Sequence, residues 1–164
     1  LVYNNVYGIH SSILRLTNTY GPRMRIKDAR QTFLGIWIRN LIEGNPINVY
    51  GDGSQIRDFN YIDDVVDALL ITALSDDANG KVYNLGADDK LSLTDTARLL
   101  TSFYHNENYQ MVPFPENRKS IDIGDYWADF DLIQQELGWT PRVPLALGLR
   151  KTLDFFEENI NYYR

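Results

Sequence analysis

The sequence predicts an α/β protein built on a largely parallel sheet, and three observations carry that reading. Short β-branched and aliphatic runs alternate with longer stretches of helical apolar spacing, as strands alternate with crossover helices. With 164 residues, 44% of them hydrophobic, the chain can bury one sizeable core. The run Ile13, Leu14 and Leu16, followed by β-branched Thr17 and Thr19, reads as a strand buried on both faces and hence parallel.

Residues 1–8 read as the end of a helix, with Val2, Tyr3, Val6 and Tyr7 at helical spacing and Gly8 as its cap. The strand over 12–19 ends in Asn18-Thr19-Tyr20-Gly21-Pro22-Arg23, polar and turn residues at a carboxyl end, where open α/β sheets hold ligands. A polar loop leads to a helix marked by Phe33, Ile36, Trp37 and Leu41 and closed by Gly44 and Pro46. A short strand over 48–50 follows. Val65, Leu69, Ala73 and their neighbours mark the next helix, and 81–86 is a second short parallel strand. Ser92 and Asp95 have capping-box spacing ahead of a helix bearing Leu93, Ala97, Leu100 and Phe103. A strand over 109–114, a long polar loop over 117–129, a short helix closed by Gly138 and a final helix striped by Leu145, Leu149, Leu153 and Phe156 complete the chain.

Composition narrows the function. A net charge of −6 argues against nucleic acid as partner. There is no cysteine, so thiol chemistry is excluded, and no apolar run approaches a bilayer span of roughly 20 residues. His10 and His105 stand alone, which argues against a metal site. No G-x-S-x-G elbow occurs for a serine nucleophile. Asp122, Asp125 and Asp129 could form a carboxylate pair of the kind glycosidases use, but their spacing suits loop hydrogen bonds and helix caps equally well.

The most informative stretch is Tyr50 to Asp64. Gly51-Asp52-Gly53 can take the positive φ of a tight reversal, and Asp63 stands where a helix N-cap is expected. Arg57 lies between them, either as a surface ion pair with Asp58 or Asp52 or as a cation awaiting an anion. Arg118, Lys119 and Arg23 also lie on loops, and guanidinium–phosphate bonds are charge-assisted and often bidentate. Residues alone leave the two readings even.

Five segments tip the balance: L-R-L-T-N-T-Y-G-P-R (14–23), V-Y-G-D-G-S-Q-I-R-D-F-N-Y-I-D-D (49–64), V-Y-N-L-G (82–86), I-D-I-G-D-Y-W-A-D (121–129) and L-G-W-T-P (137–141). In this order they resemble the carboxyl-terminal half of the NAD-dependent epimerase/dehydratase family, extended short-chain dehydrogenases that act on nucleotide sugars. The resemblance implies the end of a Rossmann-type parallel sheet (12–19 and 81–86), with the rest of 1–164 largely a smaller α/β nucleotide-sugar-binding lobe. It implies a carboxyl-terminal fragment, since neither the G-x-x-G-x-x-G turn nor the Y-x-x-x-K pair of that family occurs here. No catalytic residue is therefore expected within the chain; the catalytic pair is expected upstream of Leu1. Residues 2–8 resemble the tail of the catalytic helix, with its Tyr and Lys about three turns earlier.

By the same resemblance Asn18 contacts the sugar diphosphate, Tyr50 meets the base, and Arg57 holds the diphosphate. Lys119, three residues before Asp122 and next to Arg118, takes the place of a second phosphate-binding arginine, with loss of the bidentate fork. Leu16 and Thr17 line the nicotinamide. The implied whole protein uses NAD, which this fragment alone is not expected to bind. It acts on a nucleotide-diphosphate sugar by transient oxidation at C4, as a 4-epimerase or 4,6-dehydratase, and is expected to be a cytoplasmic homodimer. The alternative is a non-catalytic, dinucleotide-sensing or scaffold relative that kept the fold; a hydrolase using Asp122 and Asp129 stands third. A strand over 12–19 lacking one parallel neighbour is also expected to promote association or partial disorder.

Overall fold

The computed structural model describes residues 1–28, 32–105, 108–116 and 122–163. In chain order the elements are α1 (Val2–Tyr7), β1 (Ile13–Leu16), β2 (Asn18–Tyr20), α2 (Phe33–Ile42), β3 (Ile47–Tyr50), β4 (Ile56–Tyr61), α3 (Ile62–Leu74), β5 (Val82–Leu85), β6 (Lys90–Ser92), α4 (Leu93–Ser102), β7 (Tyr109–Val112), α5 (Asp131–Leu137) and α6 (Leu145–Asn159). The α/β class and the parallel pairing agree with the sequence.

The single strand expected over 12–19 is two. β1 runs parallel to β5 from Ile13 opposite Val82 to Leu16 opposite Leu85. The chain then changes partner at Thr17, and β2 runs parallel to β4 from Asn18 opposite Phe59 to Tyr20 opposite Tyr61. A tight local bond, Thr19 N–H to Thr17 O at 2.9 Å, kinks the backbone at the break. The Asn60 amide fills the gap, donating to the Thr17 hydroxyl and to Leu85 O. A long apolar strand and two short ones with a polar residue between them look alike in sequence. Burial of this strand on both faces is not met either: Ile13 and Leu16 are 41% and 46% exposed. Among the described residues β1 pairs with β5 alone.

β4 is the centre of the fold. β2 lies parallel on one edge, while β6 lies antiparallel on the other from Ile56 opposite Ser92 to Asp58 opposite Lys90. It is therefore buried almost throughout, with five consecutive buried residues, Arg57 to Tyr61. β3 and β7 form a separate parallel pair.

Two apolar clusters hold these pieces. In the larger, α2, α4 and α6 close over β3 and β4, and the expected stripe Leu145, Leu149, Leu153 and Phe156 is buried entire. Each such side chain contributes about 1.5–3 kcal/mol of transfer free energy. In the smaller, Val65 and Ala68 of α3 meet Tyr83, Leu85, Ile133 and Trp139. The Trp139 indole N–H donates to Asp64 O at 2.9 Å, and its ring meets Phe130 edge-on at 5.9 Å. Ser92 caps α4 as expected, its hydroxyl accepting Asp95 N–H at 3.0 Å. Asp63 does not cap α3: Tyr61 holds the cap position, no side chain serves it, and Asp63 and Asp64 fall in the first turn, where they favour the helix dipole. The helix starts earlier than the expected cap because β4 runs into it without a loop. No helix among the described residues is long and apolar enough to cross a membrane.

Candidate functional site

The site is built outward from β4. Gly51 and Gly53 have φ of 68° and 63°, as the turn after β3 requires. Asp52 Oδ1 accepts both Ser54 N–H and Ser54 hydroxyl, closing an Asx turn. The start of α4 clasps the same turn, Leu93 N–H on Gln55 O and Thr94 N–H on Gly53 O, each at 3.0 Å. A reversal tied to a helix N-terminus delivers β4 in a fixed register, and Arg57 is its second residue.

Arg57 is only 8% exposed. Its Nη1 donates to Ile56 O at 2.9 Å and to Gly124 O, and its Nη2 stands 3.7 Å from Asp122 Oδ1. Neither Asp52 nor Asp58 pairs with it, contrary to the surface-pair reading. Asp52 is occupied by Ser54. Asp58, fully buried, accepts Ala128 N–H at 3.2 Å and Ala87 N–H at 3.3 Å. Burial pushes the Asp58 carboxyl above its ordinary value, while Ala128 N–H, the Thr17 hydroxyl and Ala87 N–H oppose that shift. Asp122, at 3.7 Å, lies beyond good hydrogen-bond reach of Nη2, which has no hydrogen-bond acceptor among the described residues.

Arg57 lines a cavity of about 260 Å³ together with the polar side chains of Asn18, Gln55 and Asp122. The same cavity is lined by aromatic rings: Phe33 and Trp37 of α2, Tyr50 at the end of β3, and Phe114. Tyr50 and Phe114 stand 5.7 Å apart, and Phe33 meets Trp37 at 4.8 Å. The Trp37 indole donates to Asn48 O at 3.1 Å, which fixes its ring. Asn18 donates its amide to Asp58 O at 2.9 Å, so the backbone next to Arg57 sets its orientation. The lining combines a planar cation and amides with aromatic rings, the two chemistries a phosphate and a nucleobase need.

The structure thus brings Asn18, Tyr50, Arg57 and Asp122 together. Arg118 and Lys119 lie outside the described residues. Arg23 does not join them; it sits at φ 67° beside a separate depression with Gly21, Pro22 and Ile62. Leu16 and Thr17 line another hollow with Met24 and Arg25, and the Thr17 hydroxyl is already held by Asn60. Leu1, upstream of which the catalytic pair is expected, stands before α1 with its carbonyl accepting Asn5 N–H at 3.0 Å, and it does not line the cavity beside β4. Asp125 and Asp129 accept Ile56 N–H and Asp131 N–H, roles in loop and helix-end geometry rather than a catalytic pair. Among the described residues no three acids or histidines could hold a metal. Sequence reasoning missed Phe33, Trp37, Asn48, Gln55 and Phe114. Phe33 and Trp37, four apart on an amphipathic helix, read as core, and only the tertiary structure shows that they also line a cavity.

Comparison with known proteins places the fold in a family. The model of the NAD dependent epimerase/dehydratase family matches residues 1–86, more than half the chain. The chain belongs to the NAD-dependent epimerase/dehydratase family. Among members of that family, UDP-glucuronic acid decarboxylase 1 of Danio rerio is 29% identical over 98% of this chain and 37% of its own length. The dTDP-glucose 4,6-dehydratase of Escherichia coli is 28% identical, over 98% of this chain and 44% of its own. The chain therefore spans less than half the length of the curated relatives it matches. Among solved structures, UDP-glucuronic acid 4-epimerase of Bacillus cereus, in complex with UDP-glucuronic acid and NAD, superposes with a TM-score of 0.80 at 28% identity, covering 96% of this chain and 48% of that one. UDP-glucose 4-epimerase of Thermotoga maritima gives a TM-score of 0.83 at 26% identity over 97% of this chain and 50% of that one. The Rossmann-type epimerase/dehydratase fold applies to essentially the whole chain.

Proposed function

We propose that this chain is the nucleotide-sugar-binding half of an NAD-dependent epimerase, dehydratase or decarboxylase, and that the cavity beside β4 takes a nucleoside diphosphate. The observation that carries the reading is that Asn18, Arg57 and the aromatic side chains of Tyr50 and Phe114 line one cavity in an otherwise acidic chain. Arg57 grips the diphosphate through Nη2, the Asn18 amide stands beside it, and the base lies along Tyr50 and Phe114. The segments 12–19 and 81–86 belong to the dinucleotide sheet under this reading, and the remainder is the sugar-nucleotide lobe. The catalytic Tyr and Lys belong to the part of the whole protein upstream of Leu1.

NAD, when bound, supplies the hydride acceptor for transient oxidation at C4. What this chain offers toward it is modest: the exposed Leu16 side chain at the end of β1, and no glycine-rich cradle for a pyrophosphate among its residues. Its own contribution is to position substrate. Diphosphate and base do not react, so their binding energy orients the sugar, lowering the entropy that the reacting centre must lose. Asp122 enters as a partner of Arg57 rather than as a ligand of phosphate, because two anions at one point repel. Arg118 and Lys119 stay in the proposal as further cations for the diphosphate.

The test is Arg57→Ala in the whole protein. Removing a charge-assisted contact worth about 1.5–3 kcal/mol raises KM for the nucleotide sugar by roughly 10- to 150-fold. An unchanged KM sinks the assignment. The non-catalytic alternative predicts binding of nucleoside diphosphate without turnover, which the same protein decides in a coupled NADH absorbance assay.

A further inference from the structure

Segment 122–128 runs beside β4, and the contacts that fasten it flank Arg57 on both sides. Before the arginine, Ile56 N–H donates to Asp125 Oδ1 at 2.9 Å, and Tyr126 N–H donates to Ile56 O at 3.0 Å. At the arginine, Tyr126 faces it in a parallel bridge. After it, Asp58 Oδ2 takes Ala128 N–H at 3.2 Å and also ties in Ala87, on the connection from β5 to β6. Just ahead of these ties the segment presents Gly124 O to the guanidinium, one of its two hydrogen-bond acceptors among the described residues, and brings Asp122 to within 3.7 Å of it.

We infer that Asp58 and Asp125 are positioning residues for the anion grip, setting diphosphate affinity by holding segment 122–128 against Arg57 without touching the ligand. The inference rests on the reading of the cavity as a nucleoside diphosphate site. With the ties cut, Gly124 O and Asp122 drift from Arg57 and the side chain regains rotamer freedom that binding must then remove. The aromatic lining comes from α2, β3 and the stretch after β7, none of which is tied to Asp125, so the grip on the base is unaffected. Asp58 is the more severe position, because a fully buried carboxylate with backbone amides as its partners leaves those donors unsatisfied when removed. Asp125, whose bond to Ile56 is exposed, can be truncated without disturbing the core.

The experiment is isothermal titration of the whole protein with UDP against uridine and with dTDP against thymidine. It compares Asp125→Ala, Asp58→Asn, Arg57→Ala and the double variant Asp125→Ala/Arg57→Ala. Asp125→Ala and Asp58→Asn are expected to weaken the diphosphates about tenfold while leaving the nucleosides within about twofold, and Asp125→Ala is expected to add nothing in the Arg57→Ala background. Equal weakening of nucleoside and diphosphate, or full additivity with Arg57→Ala, would overturn the inference in favour of a general structural role. Should Asp58→Asn fail to fold, Asp125→Ala and its cycle decide alone. If Arg57→Ala weakens the diphosphates but neither aspartate variant does, the site reading stands and the positioning role falls. If Arg57→Ala spares them, or neither nucleotide binds the unmodified protein, the site reading falls and takes this inference with it.

Discussion

Gly53→Ala is the sharpest structural test of how β4 is delivered to the site. Gly53 is buried at φ 63°, and a Cβ there would lie 2.2 Å from Thr94 Oγ1 and 2.5 Å from Val49 Cγ1. Two costs follow. A left-handed alanine costs about 1–2 kcal/mol, and forcing a methyl into packed surroundings adds about 1–3 kcal/mol. Gly44 separates them, since it has φ 76° with nothing within 4 Å of an added Cβ. Gly44→Ala is therefore expected to lose about 1–2 kcal/mol and Gly53→Ala about 2–5 kcal/mol, read from urea unfolding with the slope unchanged. The excess measures the clash with the start of α4. If the two variants lie within about 0.5 kcal/mol of each other, the turn is not clasped as described and the fixed register of Arg57 loses its basis.

Tyr50→Ala should weaken nucleoside and nucleoside diphosphate alike, by about 1–3 kcal/mol of stacking, whereas Arg57→Ala acts on the diphosphate alone; titration of both ligands against both variants checks the division. Trp139→Phe should cost about 1–3 kcal/mol through the lost bond to Asp64 O and lost volume, and unchanged unfolding free energy would refute the role given to that indole. The Asp58 carboxyl is raised in the folded protein above 3.8, its ordinary value, by burial. Folding then favours its protonated form, so this group's contribution to stability is greatest below 3.8 and is lost as pH climbs through the raised folded value. Unfolding free energies across the acid range should show the unmodified protein losing ground to Asp58→Asn as pH rises, and a flat difference would contradict it.

Much of the architecture was legible because local chemistry repeats itself. Gly8 and Gly138 stop helices where expected, Ser92 caps α4, and the stripe on α6 is buried as its spacing requires. What escaped was set by partners far along the chain. Thr17 divides a strand because Asn60 stands beside it, a contact no window of sequence contains. Asp63 has the composition of a cap but loses the position because β4 continues directly into α3. At the site, Arg57 was legible by resemblance, yet its partners were not: Asp122 and Gly124 lie more than sixty residues on. The aromatic wall was hidden for another reason. Phe33 and Trp37 do serve the core, and nothing in their spacing says that they also line a cavity.

The break at Thr17 gives the molecule the property of a gauge. Two residues after β1 ends at Leu16, the same chain places Asn18 in the cavity, with its amide on the backbone next to Arg57. Asn60 locks the step between them through Thr17 and Leu85. The distance from Arg57 to the end of β1 is therefore set by covalent geometry and a few short bonds rather than by a deformable loop. Under the proposed function, a nucleotide sugar anchored by its diphosphate is measured against that fixed length. Substrates would then be sorted by their span: a sugar whose reactive carbon falls short of Leu16 or overshoots it binds without being correctly placed to react.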